Sequence, residues 1–441
     1  MTTAAALHAA HARPRRALAA LGLFLVLAGV AINWLSCRRQ QGFDFVWPYV
    51  LARMMAARRD AYDPGAIREA CREWAGVDRS IVQAYPPSTG IVTLPLAALP
   101  LETARTVYFV LSLAVLLGGC AALARALAPA APRHALLLTC GIVACAACVR
   151  WGFSVLQPAP LQAGLLCLFA AALLRGRARS AIVLGTIAIA LKFTNGLPFV
   201  ALAAIRRQWG VAGAVLGLWV ALNAAGFAWL GGAPAVAGYR AHLARTERPD
   251  EINAPNPHVP FAVMRLDWVY LVNGATRGVG PARAFALLLS MACALWLVAG
   301  AAGARPVARR PELLAAYAAP VCCLSLLWIY HNHYEAAVLV APAVAWAFCP
   351  AARRGRGAAL AAVPVLLFFG LYPTAQVQNL VLGRFGPTAL AYLKCAGGAI
   401  VALAFAASMA AAARVGADRR GAWEEGADPG PRADGESPCR L

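Results

Sequence analysis

Long apolar stretches follow one another along almost the whole chain, separated by short polar connections. Many of them reach the roughly 17–25 residues that an α-helix needs to cross a membrane. The pattern predicts an all-α polytopic membrane protein with apolar segments at 17–35, 104–124, 134–149, 155–174, 181–205, 211–230, 282–300, 313–330, 334–348, 358–371 and 389–412. We expect a bundle of about 10–12 transmembrane or half-spanning helices.

One apolar segment, 181–205, is bracketed by arginines and interrupted by polar residues. The interruption is Lys192-Phe-Thr-Asn-Gly196, in which Asn-Gly is a strong turn signal, and Pro198 is suited to open a second half-helix. The segment therefore predicts a hairpin of two half-helices. Such broken helices at membrane depth usually line a cavity inside the protein.

Composition and charge agree with a membrane protein. Of 441 residues, 61% are hydrophobic and 13% charged, and the mean hydropathy is +0.63, whereas soluble domains carry about 25% charged residues. The net charge of +21 comes mostly from arginines in short connections between apolar segments. This is the positive-inside pattern of membrane proteins and not a basic groove with interleaved aromatics, so nucleic acid is excluded as a partner.

The arginine clusters also predict the orientation of the chain. The first apolar segment follows Arg13, Arg15 and Arg16. The alternative of a signal peptide is disfavoured because the segment is long, lacks a small-residue cleavage site and precedes many further spans. Both termini are then cytoplasmic. We expect a membrane domain at 1–413 with outer loops at 36–103 and 231–280, followed by a disordered cytoplasmic tail at 414–441.

Asp44 is an isolated acid that closely follows the first apolar segment, among Phe43, Phe45 and Trp47. A carboxylate that is partly desolvated by aromatic side chains is suited to act as a general base. The structural alternative is an acid that caps a helix or is merely solvated.

Lys192 is one of only two lysines among forty basic residues, and it lies at the predicted helix break. An ionisable group at membrane depth indicates a functional site, and an ammonium there is suited to hold a phosphate. The alternative is a lysine that snorkels to the interface. His331, His333 and, in a further polar patch, Arg384 are also predicted on the outer face, where they are suited to bind a phosphate, sugar or other anion. For the histidines, the alternative is an interfacial position without a role.

Several short motifs occur in a fixed order along the chain. They are Asp44-Phe45 with Tyr49, Ala61-Tyr62-Asp63-Pro64, Tyr85-Pro86-Pro87 leading to Leu94-Pro95-Leu96-Ala97-Ala98-Leu99-Pro100, Gln162 with Gly164, Leu191-Lys192, Trp209 after Arg206-Arg207, and the His331/His333 pair. This ordered set resembles the family-87 glycosyltransferases, and the similarity covers residues 24–340. Those proteins are polyprenol-phosphate-dependent, α-1,2-mannosyltransferase-like membrane proteins with a C-type glycosyltransferase fold.

The resemblance implies an enzyme of the bacterial inner (plasma) membrane that takes a hexose, typically mannose, from a polyprenyl-phosphate-linked sugar donor. The acceptor is a glycan or glycolipid on the outer face. Asp44 corresponds to the general base of an inverting reaction. Lys192 and a histidine would balance the charge of the departing phosphate. Tyr49, Tyr85 and Gln162 are further candidates for substrate binding.

The chain departs from the family pattern in three places. The family's Lys-x-x-Pro is replaced by Lys192 with Pro198, Gln162 has different neighbours, and the tandem histidines are separated, so that either His331 or His333 fits the family role. Two other classes of function stay open at this point, namely a transporter or flippase of a lipid-linked sugar and a non-catalytic partner in envelope assembly. No cofactor is predicted. A divalent metal is compatible with this fold, but no acidic cluster in the sequence indicates one.

Overall fold

The computed structural model describes residues 2–78, 85–246, 267–269, 279–303, 311–328, 333–349, 380–381, 383–386, 389, 403 and 405–410. These residues are overwhelmingly helical, and no strand occurs among them, which confirms the all-α prediction. The helices are α1 (Thr2–Gln40), α2 (Val46–Ala56), α3 (Pro64–Ala75), α4 (Pro87–Ala97), α5 (Leu101–Leu127), α6 (Arg133–Cys145), α7 (Ala147–Ser154), α8 (Ala159–Leu174), α9 (Ala178–Leu191), α10 (Leu197–Ile205), α11 (Trp209–Trp229), α12 (Ala233–Thr246), α13 (Val279–Gly303), α14 (Pro311–Leu327) and α15 (Val340–Phe348). Short 3-10 helices are formed by Phe43–Phe45, Phe193–Gly196 and His333–Leu339.

Within the described part of the chain, four helices are long and apolar enough to cross a membrane. They are the Pro14–Gln40 part of α1, α5, α11 and the Gly280–Ala299 part of α13. The pair α6 and α7 makes a fifth span if it is counted as one, although it is bent by 57°. Shorter apolar helices fill much of the remaining bundle. The predicted segment 358–371, most of 389–412, the tail and most of the loop 231–280 lie outside the described residues.

The bend between α6 and α7 is stabilised from outside the bent helix. Ala146 adopts an extended conformation between the two helices, which interrupts the backbone hydrogen bonds. The buried side chain of Asn33, in α1, donates a hydrogen bond to the carbonyl of Ala144 over 2.9 Å. A polar side chain inside α1 thus satisfies a backbone group that the bend has freed, as membrane depth requires.

The predicted outer loop 36–103 contains three helices, α2, α3 and α4. Nearly every residue of α2 is buried, and α2 packs against α4. In α3, Asp63 caps the N-terminus by accepting a hydrogen bond from Ala66 N over 2.8 Å. On the exposed side of α3, Arg68 and Arg72 pair with Asp78, which lowers the pKa of Asp78 to about 2. This region is therefore a structured part of the molecule.

Helix α8 lies at the centre of the bundle, and almost all of its residues are buried. It packs against α5, α9 and the 3-10 helix His333–Leu339. A helix that is apolar on every side is expected to be surrounded by other elements, because no polar face needs water. The position of α8 brings the first half of the chain into contact with the segment after α14.

The predicted break at Lys192 is confirmed. Helix α9 ends at Leu191, Lys192 is extended, and a 3-10 turn leads into α10, in which Pro198 occupies the first turn. The two halves pack mainly against different neighbours, since α9 contacts α8 and α11 whereas α10 contacts α14 and α11. The sequence pattern predicts a hairpin of two half-helices. In the structure the two half-helices pack mainly on other helices and not on each other.

Candidate active site

Asp44 is positioned by a tight turn at the end of α1. Gln41 and Gly42 both have left-handed backbone conformations, with φ of 55° and 50°, and Gly42 N–H donates to Cys37 O over 3.2 Å. Glycine is favoured at position 42 for two reasons. Its φ is unfavourable for other residues, and an added Cβ would lie 2.5 Å from Leu156 Cδ1.

The turn that carries Asp44 is joined to the segment between α7 and α8. Asp44 N–H donates to Val155 O over 2.9 Å, and Gln157 Nε2 donates to the Asp44 carboxylate. No side chain caps the 3-10 helix Phe43–Phe45 or α2, so Asp44 is not a capping residue. Asp44 retains some exposed surface, and its carboxylate is thus fixed by Gln157 without being sealed off.

Opposing effects act on the Asp44 carboxyl group. Burial raises its pKa above the usual value and is the largest effect, while the hydrogen bond from Gln157 lowers it. The charge of Lys192 lowers the pKa further, and the charge of Glu335 raises it. These effects show that three charged groups from distant parts of the chain lie within electrostatic range of one another.

The backbone around Lys192 is stabilised by side chains of neighbouring helices. Gln162, which is fully buried in α8, donates from its Nε2 to Ala188 O at 2.7 Å and to Lys192 O at 2.9 Å, and its Oε1 accepts from Asn195 at 2.8 Å. From α4, Thr89 donates to Ala190 O at 2.8 Å. The last carbonyls of α9 have no partner within the helix. These side chains therefore make the break tolerable in an apolar surrounding.

The ammonium group of Lys192 forms an ion pair with Glu335. Glu335 is fully buried, and Lys192 is only 9% exposed. The Lys192 Nζ also lies 5.8 Å from the centre of the Tyr334 ring, within the range of a cation–π contact. Because both partners are on the 3-10 helix His333–Leu339, that segment determines where the Lys192 side chain points.

The predicted site residues have different positions in the structure. The charge of Lys192 acts on Asp44, as described, and Gln162 supports the backbone of Lys192. Tyr49 is fully buried, and its hydroxyl donates to Leu99 O at 2.8 Å and accepts from Arg53 at 3.0 Å. Its polar group is therefore occupied by the protein.

Tyr85 is also buried, and its carbonyl accepts a hydrogen bond from the hydroxyl of Tyr62 at 3.4 Å. Arg384 is exposed in a short helical stretch. His331 and the side chain of His333 lie outside the described residues.

The aromatic residues around Asp44 are mostly part of the core. Phe45 is fully buried and stacks on Tyr108 with ring centres 4.7 Å apart. Trp47 is 7% exposed, and its ring meets that of Phe43 edge-on at 5.3 Å. Phe43 remains partly exposed. Of the three aromatic residues next to Asp44, Phe43 is therefore the one that keeps exposed surface.

Asp44, Gln157, Lys192 and Glu335 form a cluster of polar and charged side chains. Two of these residues, Gln157 and Glu335, are missing from the site predicted from the sequence. Gln157 lies in the stretch after α7, where Leu156 has a φ of 54°, and a Gln-Pro pair before an apolar helix gives only a weak signal. Glu335 has a stronger signal, because it is an acid inside an apolar segment. Among the described residues, no group of three or more His, Cys, Asp or Glu side chains is arranged to hold a metal ion.

The profile of glycosyltransferase family 87 matches residues 84–329 of the chain. The chain belongs to this family. It is therefore a membrane glycosyltransferase, with a sugar donor and an acceptor as substrates. No curated protein and no solved structure matches the chain.

The match covers part of the cluster. Lys192 and Gln162 lie within the matched segment of this family-87 protein, whereas Asp44 and Glu335 lie outside it. Glu335 is connected to the matched segment by its ion pair with Lys192, and Asp44 is connected to it by the hydrogen bond from Gln157, which also lies in that segment.

Proposed function

We propose that this protein transfers a hexose, with mannose as the first candidate, from a polyprenyl-phosphate sugar to a hydroxyl group of a glycan or glycolipid. The reaction takes place at the outer face of the bacterial inner membrane. The observation that carries this proposal is the cluster of Asp44, Gln157 and Lys192. A partly exposed carboxylate and an ammonium group come within electrostatic range of each other.

In this proposal Asp44 accepts the proton of the acceptor hydroxyl as that oxygen attacks the anomeric carbon. The bond between the anomeric carbon and the phosphate oxygen breaks, and its electron pair leaves with the polyprenyl phosphate. Attack from the side opposite the leaving group inverts the configuration. Lys192 stabilises the negative charge that develops on the phosphate, and a phosphate leaving group needs no acid.

The proposal is supported by the electrostatics of Asp44. Burial raises the pKa of this carboxyl group, which increases its affinity for a proton, while Gln157 and Lys192 oppose the rise and favour the ionised form that a general base needs. Tyr49 and Tyr85, which are buried in contacts within the protein, have no direct role in this mechanism.

The experiment is hexose transfer by the purified full chain in lipid nanodiscs, with radiolabelled polyprenyl-phosphate mannose as donor and extracted envelope glycolipids as acceptor. We expect Asp44→Asn to lower the rate by about 10²–10⁴-fold, because general base catalysis has this magnitude. Asp78→Asn is the matched control, since Asp78 is an exposed carboxylate in the same region. Equal rates for Asp44→Asn and the wild type would remove Asp44 from the mechanism. Absence of transfer by the wild type would reject this donor class.

A further inference from the structure

Glu335 is the second acid in the cluster. Its side chain is buried and contacts Lys192. It is fully buried, it forms the ion pair with Lys192, and its charge acts on Asp44. Burying two charges costs more than burying apolar side chains of similar volume, so such a pair is weak evidence for a role in stability. A buried ionisable group at membrane depth is instead typical of a functional site.

The charges of the described groups create a conflict for donor binding. With Asp44 ionised, one ammonium lies among two carboxylates, so Asp44, Lys192 and Glu335 together carry a net negative charge. A phosphodiester donor brings a further negative charge. The ammonium has three N–H donors, so it can bind Glu335 and a phosphate oxygen together, but each anion then weakens the attraction of the other.

Resting on the proposed function, we propose that Glu335 competes with the lipid phosphate for Lys192. Glu335 is in this view a positioning residue. It holds the ammonium in place between turnovers and weakens its hold on the phosphate, so that polyprenyl phosphate leaves after the sugar has been transferred.

This role gives a specific kinetic signature. Without the Glu335 carboxylate, the Lys192 ammonium loses its ion-pair partner, so the lipid phosphate meets less competition, binds more tightly and is released more slowly. The donor KM and kcat then both fall. A residue that only stabilises the fold would lower the amount of active protein and leave the affinity for the lipid phosphate unchanged.

The test is binding of undecaprenyl phosphate to the full chain in nanodiscs, combined with the transfer assay. We expect Glu335→Gln to bind undecaprenyl phosphate about tenfold more tightly than the wild type, a change within the range measured for close charge pairs. Glu335→Asp should show a smaller increase, because its shorter side chain weakens the ion pair. Lys192→Met should lose the binding.

Matched controls separate charge from other effects. Glu73→Gln removes an exposed carboxylate that pairs with Arg59, and it should leave the affinity unchanged. Undecaprenol tests whether the phosphate is needed, and inorganic phosphate tests whether the lipid is needed. Thermal unfolding of each variant verifies the fold. If Glu335→Gln does not fold, the affinity of Glu335→Asp for undecaprenyl phosphate is compared with that of the wild type instead.

The outcomes distinguish this inference from the proposed function. If the wild type transfers the hexose and binds undecaprenyl phosphate, but the folded Glu335 variants bind it equally or more weakly, the competition is overturned and the transferase mechanism is retained. Retained binding in Lys192→Met has the same consequence for the competition. If the wild type neither transfers from the polyprenyl donor nor binds undecaprenyl phosphate, both proposals are rejected.

Discussion

At the scale of single residues, the hydrogen bond from Gln157 favours the ionised form of Asp44. Burial raises the pKa of Asp44, and the amide of Gln157 opposes this effect by donating to the carboxylate. Gln157 is itself 6% exposed, and its Oε1 is buried without a partner in the described structure. Its amide group is thus oriented towards the carboxylate and not towards a competing protein group.

We therefore predict that Gln157→Leu shifts the pH dependence of transfer. Loss of the hydrogen bond raises the pKa of Asp44, and the reaction needs the ionised carboxylate. The acidic limb of the pH profile should accordingly lie at a higher pH than in the wild type. Raising the pH should restore part of the lost activity. The measurement is the pH profile of kcat/KM for the acceptor.

The control for this prediction is Gln208→Leu. Gln208 donates to Leu173 O over 3.3 Å and is part of neither the Asp44 turn nor the Lys192 break. Its pH profile should match that of the wild type. An unchanged acidic limb in Gln157→Leu, with normal folding, would show that the hydrogen bond does not set the ionisation of Asp44.

Sequence reasoning identified the charged residues Asp44 and Lys192 because each is exceptional in its surroundings. It did not identify the groups that contact them. Gln157 is 113 positions from Asp44, and its role depends on how the turn at Gly42 packs on Leu156. Glu335 was recognisable as an acid in an apolar segment, but its pairing with Lys192 depends on the packing of the His333–Leu339 segment. Such pairings are tertiary properties and leave no local pattern.

At the scale of helices, the break at Lys192 depends on polar side chains from α4 and α8. Gln162 donates hydrogen bonds to two backbone carbonyls and accepts one from Asn195, and Thr89 donates to a third carbonyl, that of Ala190. We predict that Gln162→Leu is destabilising, since each buried polar group left without a partner costs about 1–3 kcal/mol. It should also raise the donor KM, because Lys192 O loses the shorter of its two hydrogen bonds and keeps the one from Asn195 N–H at 3.3 Å, so that the ammonium is less well placed.

Two measurements test this prediction, thermal unfolding in detergent and donor kinetics. Gln208→Leu is again the control, because it removes a more exposed side-chain-to-backbone bond outside the break. A Gln162→Leu protein with normal stability and normal donor KM would mean that water or rearranged side chains satisfy the break without Gln162.

The contact between α5 and α8 depends on small residues on both helices. A Cβ added to Gly164 would lie 2.5 Å from the backbone of Val115, and one added to Gly119 would lie 2.4 Å from Gly164 O. Such close approach lets helices pack by van der Waals contact, which matters in a membrane because the hydrophobic effect between helices is absent.

We predict that Gly164→Ala destabilises the fold by about 1–3 kcal/mol, the usual cost of overpacking. Gly213→Ala is the matched control, because Gly213 is an exposed helical glycine with open space around an added Cβ. It should cause no loss. Thermal unfolding of both variants in the same detergent measures the difference, and equal unfolding temperatures would contradict tight packing at Gly164.

Helix breaks were more predictable from the sequence than helix packing. The Lys192 break follows from Asn-Gly and Pro198, which act locally. The packing of α9 and α10 against α11 and α14 involves distant parts of the chain, so it could not be predicted from the segment itself. The orientation argument predicts an outer loop at 36–103 but not the three helices inside it, because these helices are short and α2 depends on its packing against α4.

At the scale of the whole molecule, the orientation in the membrane decides which substrates reach Asp44. The Pro14–Gln40 part of α1 is the only candidate span before Asp44 in the described stretch 2–78. Arg15 and Arg16 lie at its start, and cytoplasmic ends of membrane helices are enriched in arginine. The turn with Asp44 follows at the other end of this span. The Asp44 turn is therefore expected at the outer face.

Two glycines with the same local structure allow a direct test of this orientation. Gly76 and Gly176 are both exposed, have left-handed φ values of 66° and 68°, and have no atom within 4 Å of an added Cβ. Gly76 follows α3 on the side of Asp44, and Gly176 lies within the arginine cluster after α8. Exposed turns of this kind tolerate insertions, so both sites suit a reporter inserted into the full chain.

We predict that alkaline phosphatase is active when inserted after Gly76 and inactive when inserted after Gly176, and that green fluorescent protein shows the opposite pattern. The reason is that α5, the bent pair α6–α7 and α8 lie between the two sites, and three crossings place them on opposite sides of the membrane. The reverse result for both reporters would place Asp44 in the cytoplasm and reject an outer-face reaction. Equal results at the two sites would instead show that one of the shorter helices does not cross, because an even number of crossings would then separate them.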